Sequence, residues 1–204
     1  ADLDFEPEAF RSVFATTSGA TERGAKTDAP KADQSPDKLI DVVLRHPLFF
    51  EAIYELRLIT EKHAAIQAAS NATGAQIAAL QKHLDEMTIV ADASPSDYSK
   101  LDTSLHQMIA ACAQHPVFDL IDQALAPVFS RTTNQWLRKH MEMRSDQSVI
   151  HLQHSQIVEA VAWQDQVAAE VEMVEHLAYV LRNLRSLREQ DRLQEIATAR
   201  RVLK

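Results

Sequence analysis

Asp102 and His106 stand four residues apart in Leu101-Asp102-Thr103-Ser104-Leu105-His106, so on a helix the carboxylate and the imidazole point the same way one turn apart. Both can reach one ion, although the same spacing also arises as a plain hydrogen-bonded pair. His154 lies beside Ile157, Val158 and Val161, and His176 sits among Val174, Leu177 and Leu181. A buried imidazole needs partners. Three histidines and one aspartate drawn from three helices would converge in a bundle core, where helical proteins build metal sites. Such a nitrogen-rich, borderline set suits one divalent transition metal ion, Zn first, with Ni, Mn, Fe or Co as alternatives, over Ca or Mg.

The other chemistry-bearing residues carry less. His46, His63, His83, His115 and His140 stand singly, while His151, one turn before His154, is either an outer neighbour of the site or incidental. The lone Cys112 lies in the apolar run Met108-Ile109-Ala110-Ala111-Cys112, reads as a small buried hydrophobe and excludes an intrachain disulfide.

Helices must position these groups. Phe49, Ile53, Leu56, Ile59, His63 and Ile66 recur at steps of three and four, which predicts one buried face of a long helix ending near Asn71. A second helix follows Gly74 with Ile77, Leu80, Leu84 and Met87. Ala93-Ser94-Pro95-Ser96-Asp97 breaks it, with Ser96 or Asp97 expected to cap a third that carries Leu101, Leu105, Ile109 and Cys112. His115-Pro116 marks the next boundary, since the residue before proline is pushed out of the α region. Val117 to about Arg144 reads as a long helix, and Asp146 or Ser148 is expected to cap its successor. Trp163-Gln164-Asp165 turns the chain into a last helix with Val167, Val171, Val174, Ala178, Leu181 and Leu184 on the expected buried stripe. The expectation is all-α, a single antiparallel bundle of about six or seven helices.

Composition agrees. Only 3 glycines occur among 204 residues and helix formers dominate, so hairpin chemistry is nearly absent. A net charge of -8 argues against the chain itself gripping a polyanion, which needs clustered Lys and Arg. No stretch reaches the ~18 to 20 apolar residues of a membrane span, and a reduced, cytoplasmic setting fits. From Thr16 to Pro36 no large apolar residue appears, so residues 1–36 read as a flexible segment and linker, within which Phe5, Phe10, Val13 and Phe14 form either a short docking turn or a solvated tail. Residues 37–204 read as the folded domain, opening at Ser35-Pro36-Asp37. From Arg182 on, Arg182, Arg185, Arg188, Arg192, Arg200 and Arg201 alternate with Glu189, Asp191 and Glu195, a pattern of a solvated helix end or of a contact with DNA or another domain.

A family resemblance runs through the same residues. Glu55-Leu56-Arg57-Leu58-Ile59-Thr60-Glu61, followed by His63-Ala64-Ala65, resembles the E-x-R-x-x-x-E helix that opens the FadR C-terminal (FCD) domain of the GntR superfamily of bacterial transcription regulators. Asp102-Thr103-Ser104-Leu105-His106 resembles its D-x-x-F-H, with Leu105 where Phe is usual. His154-Ser155-Gln156-Ile157-Val158-Glu159-Ala160-Val161 resembles its H-x-x-I-x-x-A-I, Gln164-Asp165 its G-D turn, and Met173-Val174-Glu175-His176-Leu177 its M-x-x-H-L. The resemblance, from about Asp37 to Leu187, implies Asp102, His106, His154 and His176 as metal ligands, a small carboxylate effector on the ion, and a homodimer. It implies Arg57 as a guanidinium partner of that carboxylate, against an ordinary helix pair with Glu61. Arg131, Asn134 and Arg138, at helical spacing on the middle helix, are candidates for lining the same pocket, against a solvent-facing alternative.

A full regulator of this class carries a winged helix-turn-helix, and nothing in residues 1–48 resembles one, so DNA contact is expected only through a part absent from this chain. The expected role is therefore an effector-sensing module and not an enzyme. Two rivals stay open: a mononuclear metalloenzyme, which lacks a His-Glu-x-x-His or Glu-x-x-His signature, and a non-metal helical interaction domain.

Overall fold

Local stop and start signals cut the chain into helices, and tertiary packing decides which face of each is inside. The computed structural model describes residues 47–90, 94–140 and 145–202. The expected linker 1–36, the phenylalanines within it and the domain start at 35–37 lie outside the described residues. Six helices follow one another: α1 Pro47–Asn71, α2 Gly74–Val90, α3 Pro95–Cys112, α4 Pro116–His140, α5 Ser145–Ala162 and α6 Gln166–Val202. No strand occurs among the described residues, which bears out the all-α expectation, and no described helix is long and apolar enough to cross a membrane.

The boundaries have visible causes. Thr73 and Gln76 form a reciprocal capping box at the start of α2, with Gln76 N–H donating to Thr73 Oγ1 and Thr73 N–H to Gln76 Oε1. Ser94, not Ser96 or Asp97, caps α3: its extended backbone lets Oγ accept from Asp97 N–H at 3.2 Å, with Pro95 in the first turn. Helix α5 starts at Ser145, which puts Asp146 and Ser148 inside it instead of at its cap. Gln164 ends α5 at φ 57, the left-handed conformation in which the family's glycine would stand, and Asp165 N–H reaches back to Ala160 C=O. Asp165 then caps α6 by accepting from Val167 and Ala168 N–H.

Two expected stripes are only partly inside: Leu184 is buried, and Phe49, Ile53, Ile66, Val174, Ala178 and Leu181 are half-buried. On α1, Leu56 is 38% and Ile59 65% exposed, and His63 is exposed; the buried face carries Tyr54, Arg57, Thr60, Glu61, Ala64, Ala65, Ala68 and Ala69. Its alanines let α1 approach its neighbours closely. On α6, Val167 and Val171 are exposed, and the buried line runs through Ala169, Met173, His176, Leu177, Val180, Leu184 and Leu187. The core is continuous, with Leu80, Met87, Tyr98, Leu105, Ile109, Ile157, Val161 and Met173 among its fully buried members. Each such aliphatic side chain stabilises the fold by ~1.5–3 kcal/mol. Cys112 is buried in it as a small apolar residue. Helix α1 packs most on α6, α3 on α4, and α5 on α6, which brings α3, α5 and α6 around one buried polar cluster.

Candidate metal centre

Asp102 and His106 come from α3, His154 from α5 and His176 from α6, and all four are buried. One ligand atom from each lies within 4.8 Å of the others. His154 Nε2 is 3.3 Å from His176 Nε2 and 3.4 Å from Asp102 Oδ1. Tetrahedral bonds of about 2.0–2.1 Å put ligand atoms about 3.3–3.4 Å apart, so these two edges already have the spacing an ion of that size imposes. His106 stacks on His176 with centroids 5.2 Å apart and meets His154 edge-on at 5.5 Å. Both its ring nitrogens are buried with no hydrogen-bond partner among the described residues, so the neutral ring keeps one lone pair free for an electrophile. The donor set fits a transition ion.

Electrostatics favour the ligating form of two of the rings and oppose that of the carboxylate. Burial, then the neighbouring charged and ring groups, lowers His154 and His176 well below the usual imidazole range, so both rings are neutral as a metal requires. Burial raises the Asp102 carboxyl, with His106 and Arg57 opposing it in part. His176 Nδ1 lies 3.2 Å from Gln153 Oε1, which fixes its proton on that side and frees Nε2.

Behind this set stands a second buried group. Arg57 is 2% exposed; its Nε donates to Glu61 Oε1 at 2.5 Å, and its guanidinium carbon lies 4.5 Å from the Phe129 ring centre. Glu61 Oε2 is 2.6 Å from His106 Nδ1. Burial alone would push the Glu61 carboxyl up, but Arg57 and His106 outweigh it and hold it at about 2. Glu61 likewise outweighs the burial that would lower Arg57. The helix pair that the sequence offered as the alternative for Arg57 is therefore present, next to the ligand cluster.

The remaining sequence candidates disperse. Arg131 is exposed, and the side chains of Asn134 and Arg138 lie outside the described residues. His151 turns to Thr88 Oγ1 at 3.1 Å, and His83 Nε2 meets Leu101 C=O at 2.8 Å. Two buried groups and one half-buried one escaped sequence reasoning. Tyr98, one turn before Asp102, and Asp122 on α4 each bury a polar oxygen without a hydrogen-bond partner among the described residues, and Gln153 backs His176. Only Tyr98 and Gln153 had a signal, their helical spacing from Asp102 and their adjacency to His154. Burial, then Glu61, raises Asp122 to about 6.

The FCD domain model matches residues 52–179, a span that holds all four candidate ligands, Arg57 and Glu61. Over 129 residues the chain is 26% identical to the uncharacterized HTH-type transcriptional regulator YcbG of Bacillus subtilis (strain 168), covering 63% of this chain and 52% of that protein. Over 173 residues it is 29% identical to the HTH-type transcriptional repressor NanR of Citrobacter rodentium (strain ICC168), covering 82% of this chain and 65% of that protein. It thus spans between half and two thirds of the length of these relatives. Among solved structures, Streptococcus agalactiae GntR superposes with a TM-score of 0.51 at 24% identity, covering 73% of this chain and 61% of that one, which bears on the fold alone. With the match running from α1 into α6 through every candidate ligand, the chain belongs to the FCD domain family, the helical domain of FadR-type GntR regulators.

Proposed function

We propose that this domain is the effector-sensing part of a GntR/FadR-type transcription regulator. It holds one divalent transition ion, zinc first, through Asp102, His106, His154 and His176, and takes a small carboxylate metabolite at an open position on that ion. The observation that carries the reading is the convergence of four buried ligand atoms from three helices within 4.8 Å. When bound, the ion supplies an electrophilic anchor for a carboxylate oxygen. Arg57 adds a fixed positive charge beside the ligands, and Arg131, Asn134 and Arg138 stand as further effector-facing candidates on α4.

Because the ligands sit on α3, α5 and α6, filling the centre ties three helices together and biases their packing. That is a differential interaction able to shift a two-state equilibrium. In a homodimer this shift would change how two winged helix-turn-helix heads, borne outside residues 1–204, meet DNA. A role in controlling DNA would call for a cytoplasmic location, and regulatory relatives support a sensor over an enzyme.

Elemental analysis of untagged chain purified without added metal or chelator tests the reading. About one ion per chain, lost in Asp102→Ala and His176→Ala, is the expected result. A calorimetric screen of mono- and dicarboxylates on the loaded protein then identifies the effector class. Absence of metal, with no uptake of Zn, Ni or Mn, would sink the four-ligand centre.

A further inference from the structure

Helix α1 turns Leu56 and Ile59 outward and buries Arg57 and Glu61, at 2% and 4% exposure, in their place. Taking two charges out of water costs several kcal/mol per ion, and a hydrophobic pair of the same volume is often as stable or more so. Stability alone therefore does not account for this inversion. What the pair touches does. Tyr54 and Phe129 flank the Arg57 guanidinium, whose carbon lies 5.9 and 4.5 Å from their ring centres. Arg57 Nε grips one oxygen of Glu61 at 2.5 Å, and the other oxygen lies 2.6 Å from His106 Nδ1. A rigid relay thus runs from an aromatic pair through a guanidinium and a carboxylate to one ring of the ligand cluster.

We propose that Glu61, clamped by Arg57, is a positioning residue of the metal centre: it holds the proton of His106 on Nδ1 and so reserves Nε2 for the ion. The inference rests on the metal reading above and deepens it. Ligating histidines owe their orientation and basicity to what their second nitrogen meets. The three histidines here differ in that respect: His106 Nδ1 has a Glu61 carboxylate oxygen at 2.6 Å but outside hydrogen-bond angles, His176 Nδ1 meets the Gln153 amide oxygen at 3.2 Å, and His154 Nδ1 is buried with no hydrogen-bond partner among the described residues. Of the three, His106 alone has an anionic group within reach of its second nitrogen. Arg57 lets it do so without adding net charge to the pocket. The Glu61 contact is short yet off the Nδ1–H axis, as is common in a site before its ligand tightens the hydrogen bonds.

Two readouts on the full 204-residue chain test this. The first is the long-range proton–nitrogen spectrum of the imidazole rings in 15N-labelled protein, with and without zinc. His106 is expected as the Nδ1–H tautomer, its nitrogen shifts moving in Glu61→Gln because the amide offers no anionic acceptor. The second is zinc affinity by competition with a chromophoric chelator. Glu61→Gln is expected to weaken zinc about 10–100-fold, and Gln153→Ala by less, with the metal-free unfolding temperature of each variant measured alongside. Zinc uptake together with an Nε2–H tautomer at His106, or with unaltered affinity in folded Glu61→Gln, overturns the role. If Glu61→Gln does not fold, the wild-type tautomer decides alone. No zinc uptake by the wild type overturns the metal reading and this role with it, so the two failures are told apart.

Discussion

His154 Nε2 and His176 Nε2 face each other across 3.3 Å in the core, two ring nitrogens at the spacing of adjacent ligands on one ion. Each is buried and neutral, so filling the centre replaces a poor contact with two bonds. Zinc at about 100 times its dissociation constant is expected to add about 2.7 kcal/mol to unfolding, a rise in Tm of about 5–10 °C for a chain this size. His176→Ala should lose that increment. Thermal melts with zinc and with chelator check it; identical wild-type melts would count against a shared ion.

The same two rings set an acid limit. Their folded pKa values lie below the ordinary 6.5, so the unfolded chain binds the extra protons. The stability they contribute is whole above about pH 6.5 and is lost as pH falls below it, by up to about 1.4 kcal/mol per pH unit for each ring. Glu61, held at about 2 against an ordinary 4.5, adds a second loss below about pH 4.5. Urea midpoints of the metal-free chain at pH 7.5, 6 and 5 should fall in order, and a flat profile would show the rings to be solvated.

Asp122 titrates in the opposite sense. Its carboxyl is raised from 3.8 to about 6, so its cost is absent below about pH 3.8 and complete above about pH 6. Asp122→Asn should therefore stabilise the chain by about 2–3 kcal/mol at pH 7.5 and by nothing at pH 4. Chemical denaturation at both values measures the difference; an equal effect at the two would remove the carboxyl's charge as the cause.

Arg57→Ala leaves the Glu61 carboxylate buried without its cation, and a loss of about 3–5 kcal/mol is expected. Combining Arg57→Met with Glu61→Leu should restore most of it, because both charges then leave together. A double variant no more stable than Arg57→Ala would assign the cost to lost packing on Phe129 instead.

Gln164 holds φ 57 at the end of α5. Gln164→Gly removes the side-chain clash of the left-handed region and should raise stability by about 0.5–1 kcal/mol. The reverse sign in a thermal melt would mean that the Gln164 side chain makes a contact that outweighs its strain.

Much of this was legible in the residues. Pro116, Gly74, the break at residues 93–97 and the turn at 163–165 mark ends that the structure places within a residue or two, and the four candidate ligands gather at one point. The faces of α1 and α6 were only partly legible. Periodicity assigns charge to water, yet Arg57 and Glu61 neutralise each other inside, and the alanines beside them leave the apolar Leu56 and Ile59 to solvent. On α6 the exposed Val167 and Val171 flank the fully buried Ala169, and the packed line through Met173, Leu177 and Val180 runs one position away from the expected Val174, Ala178 and Leu181 until the two meet at Leu184. Asp122 had no signal, since its burial depends on α4 meeting residues far off in the chain.

Helix α6 carries His176 in its first third and then continues without glycine or proline to Val202, while its buried line stops at Leu187. At a rise of about 1.5 Å per residue, the stretch from His176 to Val202 is about 39 Å long. It is a lever whose short arm is seated in the ligand cluster. A tilt of about 5° at the cluster sweeps the far tip by about 3 Å, so an adjustment of sub-ångström size around one imidazole is geared up several-fold by helix length alone.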